Sequence, residues 1–249
     1  MGNALETILN HVSIRKYQNR EIPNEILDKI LEAGTRASTT GNMQLYSIIV
    51  NKDQKVKEDL APFHFNQPMV KQAPVLLTFC ADINRFSSWC KLRNAEPTYD
   101  NNLWFINATI DALLVAQNTC IAAESYGLGI CYLGTTLYNA DKLIEYYNLP
   151  KGVIPITTIT IGYPEEIPSL TDRLPVNSVV HYEKYNNYSD NNINEIYKHK
   201  EALELTKKLI IENNTQNLAQ IFTDKRYKKE DNILFSQKLS NIIENNWKL

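Results

Sequence analysis

The chain has 249 residues, enough for one large domain or two small ones. Its 26 Lys and Arg residues nearly balance 28 Asp and Glu residues, so composition gives no electrostatic case for nucleic-acid binding. Residues 1–10 lack the basic-then-apolar layout of a secretory signal, and no apolar run approaches a bilayer span. We therefore expect a cytoplasmic protein without a membrane partner.

The four cysteines show neither CxxC spacing nor a framework pattern, which argues against a structural zinc site and for buried, reduced thiols. The four histidines are scattered, and we expect His64 and His199 on the surface. No metal site is predicted.

The first stretch with recognisable chemistry follows an amphipathic start over residues 5–12. His11, Ser13 and Arg15 bring an imidazole, a hydroxyl and a guanidinium close together in the sequence. Such groups suit a phosphate and an electron-rich ring, and the alternative is a solvated basic turn.

Apolar periodicity then predicts alternating helices and strands. Helices are expected over 22–34, 53–60, 101–126, 141–147, 190–213 and 231–246, and strands over 46–50, 74–81, 130–134 and 153–163. The loop 37–44 is rich in hydroxyl and amide groups that could meet a flat polar ligand, although a plain turn fits equally well. We interpret residues 63–69 as irregular.

Residues 101–126 carry apolar side chains almost all round the predicted helix, so the helix should be buried on nearly every side. Packing against a second subunit would bury it most easily. This pattern predicts an obligate homodimer.

Two glycines have different predicted roles. Gly127 lies where a helix C-terminal glycine belongs, and the Gly-x-Gly that it starts follows a helix, which is the reverse of a dinucleotide-binding fingerprint. Gly134 ends a strand, where the lack of a side chain lets a ligand approach the backbone.

These elements predict an α+β fold with a mixed central sheet flanked by helices, in an intertwined homodimer. Residues 1–185 would form the main domain. Residues 186–249 would form a C-terminal helical arm that packs on the dimer, because its helices have too little apolar surface for a core of their own.

The order of motifs resembles the FMN-dependent nitroreductases, in the branch of NADPH-dependent oxygen-insensitive nitroreductases and flavin reductases. The resemblance covers roughly residues 3–185. Its motifs are His11-x-Ser13-Ile14-Arg15, the loop 37–44, Gln67 ahead of the strand 74–82, residues 122–129, Tyr132-Leu133-Gly134, residues 161–164 and Arg173-Leu174-Pro175.

The resemblance implies an FMN site at a subunit interface. His11 and Ser13, joined by Arg173, would hold the flavin phosphate, and Arg15 would lie near the pyrimidine edge of the ring. The remaining implied contacts are Ser38, Thr39 and Thr40 to ribityl or phosphate, Asn42 and Gln44 on the partner-side wall, Gln67 to the ring, and the backbone of Tyr132, Leu133, Gly134 and Thr135.

Three positions depart from the family pattern. Val12 and Thr171 stand where the family often has cations, and Thr135 stands where a second glycine is common. Each lost charge-assisted hydrogen bond would weaken FMN binding by about 1.5–3 kcal/mol.

The resemblance implies an oxidoreductase that takes hydride from NAD(P)H at flavin N5 and passes electrons to nitroaromatics, quinones or related acceptors, with ping-pong kinetics. No acid–base residue is needed, and Arg15 would stabilise the reduced ring electrostatically. The alternatives are a dedicated free-flavin reductase and a flavin-binding redox sensor without turnover. Arg226 lies in a basic run that either meets the NADPH 2′-phosphate or is a solvated charge cluster.

Overall fold

The computed structural model describes residues 3–249, which divide into two compact units. The first contains the described residues up to Leu170 together with Lys238–Leu249, and the second is Thr171–Gln237. The predicted functional boundary at residue 185 stays a prediction.

The first unit is built on one sheet, whose strands are β1 (Tyr46–Asn51), β2 (Val75–Asp82), β3 (Gly129–Leu133) and β4 (Val153–Gly162). The order is β1-β2-β4-β3, and each neighbouring pair is antiparallel. The α+β class is confirmed, but the predicted mixed sheet is antiparallel in these four strands. An isolated parallel bridge joins Ser13 to Ile130 beside β3.

Both central strands, β2 and β4, are buried along their whole lengths. The alternation predicted for residues 153–163 therefore does not leave a solvent face, because helices cover the sheet on both sides.

The helices of the described chain agree with the prediction at most positions. They are α1 (Ala4–Leu9), α2 (Asn24–Thr35), α3 (Gln54–Leu60), α4 (Pro68–Gln72), α5 (Asn84–Lys91), α6 (Asn102–Ser125), α7 (Ala140–Tyr146), α8 (Asp190–Ala202), α9 (Glu204–Asn213), α10 (Leu218–Gln220) and α11 (Lys229–Asn246). The sequence interpretation missed α4, α5 and α10, and the single helix predicted over 190–213 is divided at Leu203 into α8 and α9. Residues 63–69, expected to be irregular, lie partly in a 3₁₀ turn at Ala61–His64 and partly in α4.

The longest helix, α6, is buried on one side only. Its buried side carries small residues, such as Ala108, Ala112 and Ala116, that pack against α2 and the sheet. The opposite side exposes Leu103, Ile106, Ile110, Leu113 and Leu114, each by 41% or more. Burial on nearly every side is therefore not achieved within a single chain.

By length and composition alone, α6 could also cross a membrane, with a mean hydropathy of 1.2 in its most apolar window. This differs from the expectation that no run approaches a span. A core helix of a water-soluble protein can have the same length and hydropathy, and here α6 packs on α2 and β2.

The C-terminal residues are anchored in the core of the first unit. Trp247 is 2% exposed, its indole Nε1 donates to the carbonyls of Tyr99 (3.2 Å) and Asn101 (3.1 Å), and its ring meets Phe105 edge to face. The last turn of the chain is thus part of the same core as α6.

The second unit is helical and polar. Ser189 and Asn192 form a capping box that starts α8, and Lys200 pairs with Asp172 at 2.6 Å. Ile221–Arg226 forms a π-helical turn after α10.

Candidate flavin site

The segment from His11 to Arg15 runs beside the edge strand β3. Ile14 N donates to Ile130 O at 2.8 Å, and the Ile14 side chain is buried. Because side chains alternate along an extended segment, His11, Ser13 and Arg15 share the opposite side.

His11 is held by a carboxylate that sequence reasoning did not identify. Its Nδ1 lies 2.5 Å from Glu124 Oε1 at the end of α6. Burial raises the pKa of Glu124, while the hydrogen bond to His11 acts in the opposite direction. The contact fixes the imidazole and leaves its Nε2 for a ligand.

Arg15 is exposed and forms no ion pair with any described carboxylate. Burial raises the pKa of the Cys131 thiol, and the charge of Arg15 opposes this rise, which places the guanidinium electrostatically close to β3. An exposed, unpaired cation beside the strand is available for an anion or an electron-rich ring.

The loop 37–44 is shaped by Asp111, a buried acid in the middle of α6. Its Oδ1 accepts from Thr40 N at 2.9 Å and its Oδ2 accepts from Leu45 N at 3.2 Å. Thr39 Oγ1 is buried without a partner among residues 3–249. The loop therefore holds a hydroxyl that a ligand could satisfy. A lone acid in an apolar helix was the available sequence signal for Asp111.

His64 corrects the sequence prediction. It was expected on the surface but is fully buried, because the 3₁₀ turn packs it beside Thr135. Its Nδ1 lies 2.9 Å from Thr135 Oγ1, its Nε2 has no described partner, and burial lowers its pKa to about 4. His199 is exposed, as predicted.

The same contacts bring Gln67 and Thr135 together. Gln67 Nε2 donates to His64 O at 3.1 Å and approaches Thr135 Oγ1 at 3.5 Å. Two residues that the resemblance implied separately thus belong to one hydrogen-bonded cluster around His64.

The end of β3 presents open backbone. Leu133 is buried and Tyr132 donates from its hydroxyl to Gln117 Oε1 at 3.4 Å, whereas Gly134 is exposed. A Cβ built on Gly134 would meet no protein atom within 4 Å. Gly127, in contrast, has φ +74° and ends α6, as predicted.

The remaining predicted residues lie in the loop 37–44 and in the second unit. Gln44 Nε2 donates to Asn42 Oδ1 at 3.2 Å, and Ser38 is exposed. Arg173 and Arg226 belong to the second unit: Arg173 donates to the carbonyls of Thr171 and Asp172, and the Arg226 guanidinium lies 5.7 Å from the Phe222 ring centre. Their predicted ligand contacts stay predictions.

The residues of the first unit fit FMN. The unpaired guanidinium of Arg15, the unsatisfied hydroxyl of Thr39 and the open backbone at Gly134 supply a cation, a polar contact and room for a flat ring. Among the described residues, no group of three or more His, Cys, Asp or Glu could hold a metal ion.

Comparison with known proteins agrees with this chemistry. The sequence model described as "Nitroreductase family" matches residues 8–163. An FMN reductase (NADPH) from Bacillus subtilis is 37% identical over 192 residues, which cover 76% of this chain and 77% of that protein.

Two solved structures extend the likeness to nearly the whole chain. A Bacteroides fragilis protein described as an oxidoreductase is 50% identical, with a TM-score of 0.96 over 97% of this chain and 98% of that one. A nitroreductase from B. subtilis is 30% identical, with a TM-score of 0.81 over 99% of each chain. The chain belongs to the nitroreductase family.

Proposed function

We propose that this protein is an NAD(P)H-dependent FMN oxidoreductase that reduces nitroaromatics, quinones or related acceptors. The predicted enzyme class and the cofactor pair agree with relatives named FMN reductase (NADPH) and nitroreductase. The open backbone at Gly134, next to the cluster of His64, Gln67 and Thr135, carries the proposal for the site.

When bound, FMN supplies a ring that accepts hydride and releases electrons to a second substrate. His11 and Ser13 would hold its phosphate, with the imidazole oriented by Glu124. Arg15 would stabilise the negative charge of the reduced ring, and Gln67 would donate a hydrogen bond to the ring edge. No side chain has to transfer a proton for hydride transfer itself, so no acid–base pair is required.

We also propose a homodimer. The helix α1 packs on α6 and also exposes apolar side chains, since Leu5, Ile8 and Leu9 are each at least 50% exposed. Many exposed apolar side chains on two packed helices are typical of an interaction surface. A cytoplasmic location fits this picture, since dimerisation rather than a bilayer would cover α6.

The first experiment is an absorbance spectrum of the purified protein, followed by anaerobic addition of NADPH and, separately, NADH. Flavin bands that bleach are expected. A colourless protein that takes up no added FMN would contradict the proposal, and the neutral residues Val12 and Thr171 would then explain the lost affinity.

Steady-state turnover separates the alternatives. NADPH consumption with nitrofurazone or menadione is expected. Consumption with free FMN alone would identify a dedicated flavin reductase, and bleaching without turnover on any acceptor would identify a redox sensor.

The donor preference can be tested at Arg226. The guanidinium lies over the ring of Phe222, which stacks with Tyr227, in an exposed turn. We expect Arg226→Ala to raise KM for NADPH about fivefold or more while leaving KM for NADH unchanged, since only NADPH carries a 2′-phosphate. Lys225→Ala is the matched control, and equal effects on both donors would exclude Arg226 from this role.

A further inference from the structure

A recess of about 530 Å³ lies in the first unit between the segment after Tyr17, the start of α3 and the end of α4. Arg20, Lys52, Lys57 and Lys71 line it, against one carboxylate, Glu21. The whole chain has a net charge of −2, whereas the lining of this recess has four cationic side chains and one carboxylate.

Lys57 is the buried member of this cationic recess. Its side chain belongs to a residue only 5% exposed, and its Nζ donates to Ala73 O at 2.7 Å. An ammonium has three N–H donors, so two remain without an acceptor among residues 3–249. Burial lowers the pKa of Lys57, and the nearby carboxylate of Asp53 opposes this fall.

The other three cations form no ion pair with a carboxylate within the described chain. Lys52 Nζ donates to Asn24 Oδ1 at 2.7 Å, and the Arg20 guanidinium lies 3.7 Å from the Tyr163 ring centre. Lys71 is exposed. By comparison, Lys55 on the same helix as Lys57 is paired with Asp59 at 2.8 Å.

We propose that the cationic recess binds a small phosphate-bearing anion of the pyrophosphate type. Lysine ammonium groups bind phosphate oxygens as point charges, and four cations around one recess match an anion that carries several negative charges. The recess offers no free aromatic face, since Tyr17 is buried and Arg20 covers Tyr163. Recognition is therefore directed at phosphate rather than at a nucleobase, and it is independent of the flavin chemistry.

The test is isothermal titration of sodium pyrophosphate into FMN-saturated protein, so that the flavin-phosphate site is already filled. We expect one site per chain, with an affinity that falls as salt rises. Lys71→Met and Lys57→Met should each weaken binding about tenfold or more, whereas Lys55→Met should change it less than twofold. Because Lys57→Met removes a buried hydrogen bond and could impair folding, the exposed pair Lys52→Met and Lys71→Met carries the same test.

Three outcomes would overturn the proposal. These are no binding heat at millimolar pyrophosphate, equal weakening by Lys55→Met, and equal affinity for the tricarboxylate tricarballylate. The first would leave only a solvated cluster, the second a general surface charge effect, and the third an anion site without phosphate selectivity.

Discussion

A substitution at Gly134 can separate an effect on ligand binding from an effect on the stability of the fold. A Cβ at this position would meet nothing within 4 Å, and its φ lies outside the left-handed region. We expect Gly134→Ala to change the free energy of unfolding of the flavin-free protein by less than about 0.5 kcal/mol. FMN affinity should nevertheless fall about tenfold or more, because the methyl group would occupy the space proposed for the ring.

Urea unfolding and fluorescence titration with FMN measure the two effects. The matched control is Gly129→Ala, where the new Cβ would lie 2.3 Å from Ile14 Cγ1 and should destabilise the fold itself. Unchanged FMN affinity in Gly134→Ala would place the flavin ring elsewhere.

His64 gives the fold a specific sensitivity to acid. Burial lowers its pKa to about 4, whereas the unfolded chain titrates at the ordinary value of about 6.5. As pH falls between these values the unfolded state binds a proton that the folded state does not, so stability is lost. From about pH 7 to about pH 5 this residue should contribute a loss of about 2 kcal/mol.

His64→Gln retains a hydrogen-bonding side chain near Thr135 but cannot titrate. Its free energy of unfolding should therefore depend less steeply on pH than that of the wild type, as measured by urea unfolding at both pH values. His199→Gln, at an exposed position, should match the wild type. Equal slopes in all three proteins would show that His64 is not protonated on unfolding in this range.

The residues that sequence analysis missed or misplaced have one physical feature in common: their contacts lie far away along the chain. A local pattern indicated the loop 37–44, because its hydroxyl, amide and turn residues lie within a few positions of one another. Gln67 was indicated only by the family resemblance. Asp111 and Glu124 act on partners 71 and 113 residues away along the chain. His64 was misplaced because its burial depends on Thr135, 71 residues later.

At the scale of elements, periodicity located the long helices and all four strands. The strand direction was less accessible. Alternating helices and strands suggest a parallel or mixed sheet, but the same alternation occurs when a connection begins and ends at the same end of the sheet, which leaves the two strands antiparallel. α5 was missed since its eight residues are mostly polar and show only a short apolar face.

The exposed side of α6 supplies the prediction at this scale. Ile106 is 55% exposed on that side, so Ile106→Glu should place a charge inside the proposed subunit interface and dissociate it. Sedimentation equilibrium should give twice 28.6 kDa for the wild type and a shift towards 28.6 kDa for the variant.

Leu92→Glu is the control, because Leu92 is 75% exposed on a different part of the first unit and should leave the dimer intact. A wild-type protein that sediments as a monomer at micromolar concentration would contradict the homodimer, and α6 would then need another explanation for its apolar side.

At the scale of the whole molecule, the C-terminal residues pack into the core of the first unit. Trp247 is buried beside Phe105 and donates to the carbonyls of Tyr99 and Asn101, just before α6. The core of the first unit therefore includes C-terminal residues. Composition alone could not show this, because the segment before it is polar and resembles an appended arm.

Trp247→Ala should therefore destabilise the first unit by about 3–5 kcal/mol, the usual cost of truncating a buried aromatic side chain to alanine. Trp89 provides the matched control: it is 54% exposed, and Trp89→Ala should cost less than about 1 kcal/mol. Urea unfolding of the FMN-saturated proteins, followed by far-ultraviolet circular dichroism, measures both. A Trp247→Ala variant as stable as Trp89→Ala would mean that the C-terminal turn rests on the surface, and that residues 238–249 belong energetically with the polar arm rather than with the core.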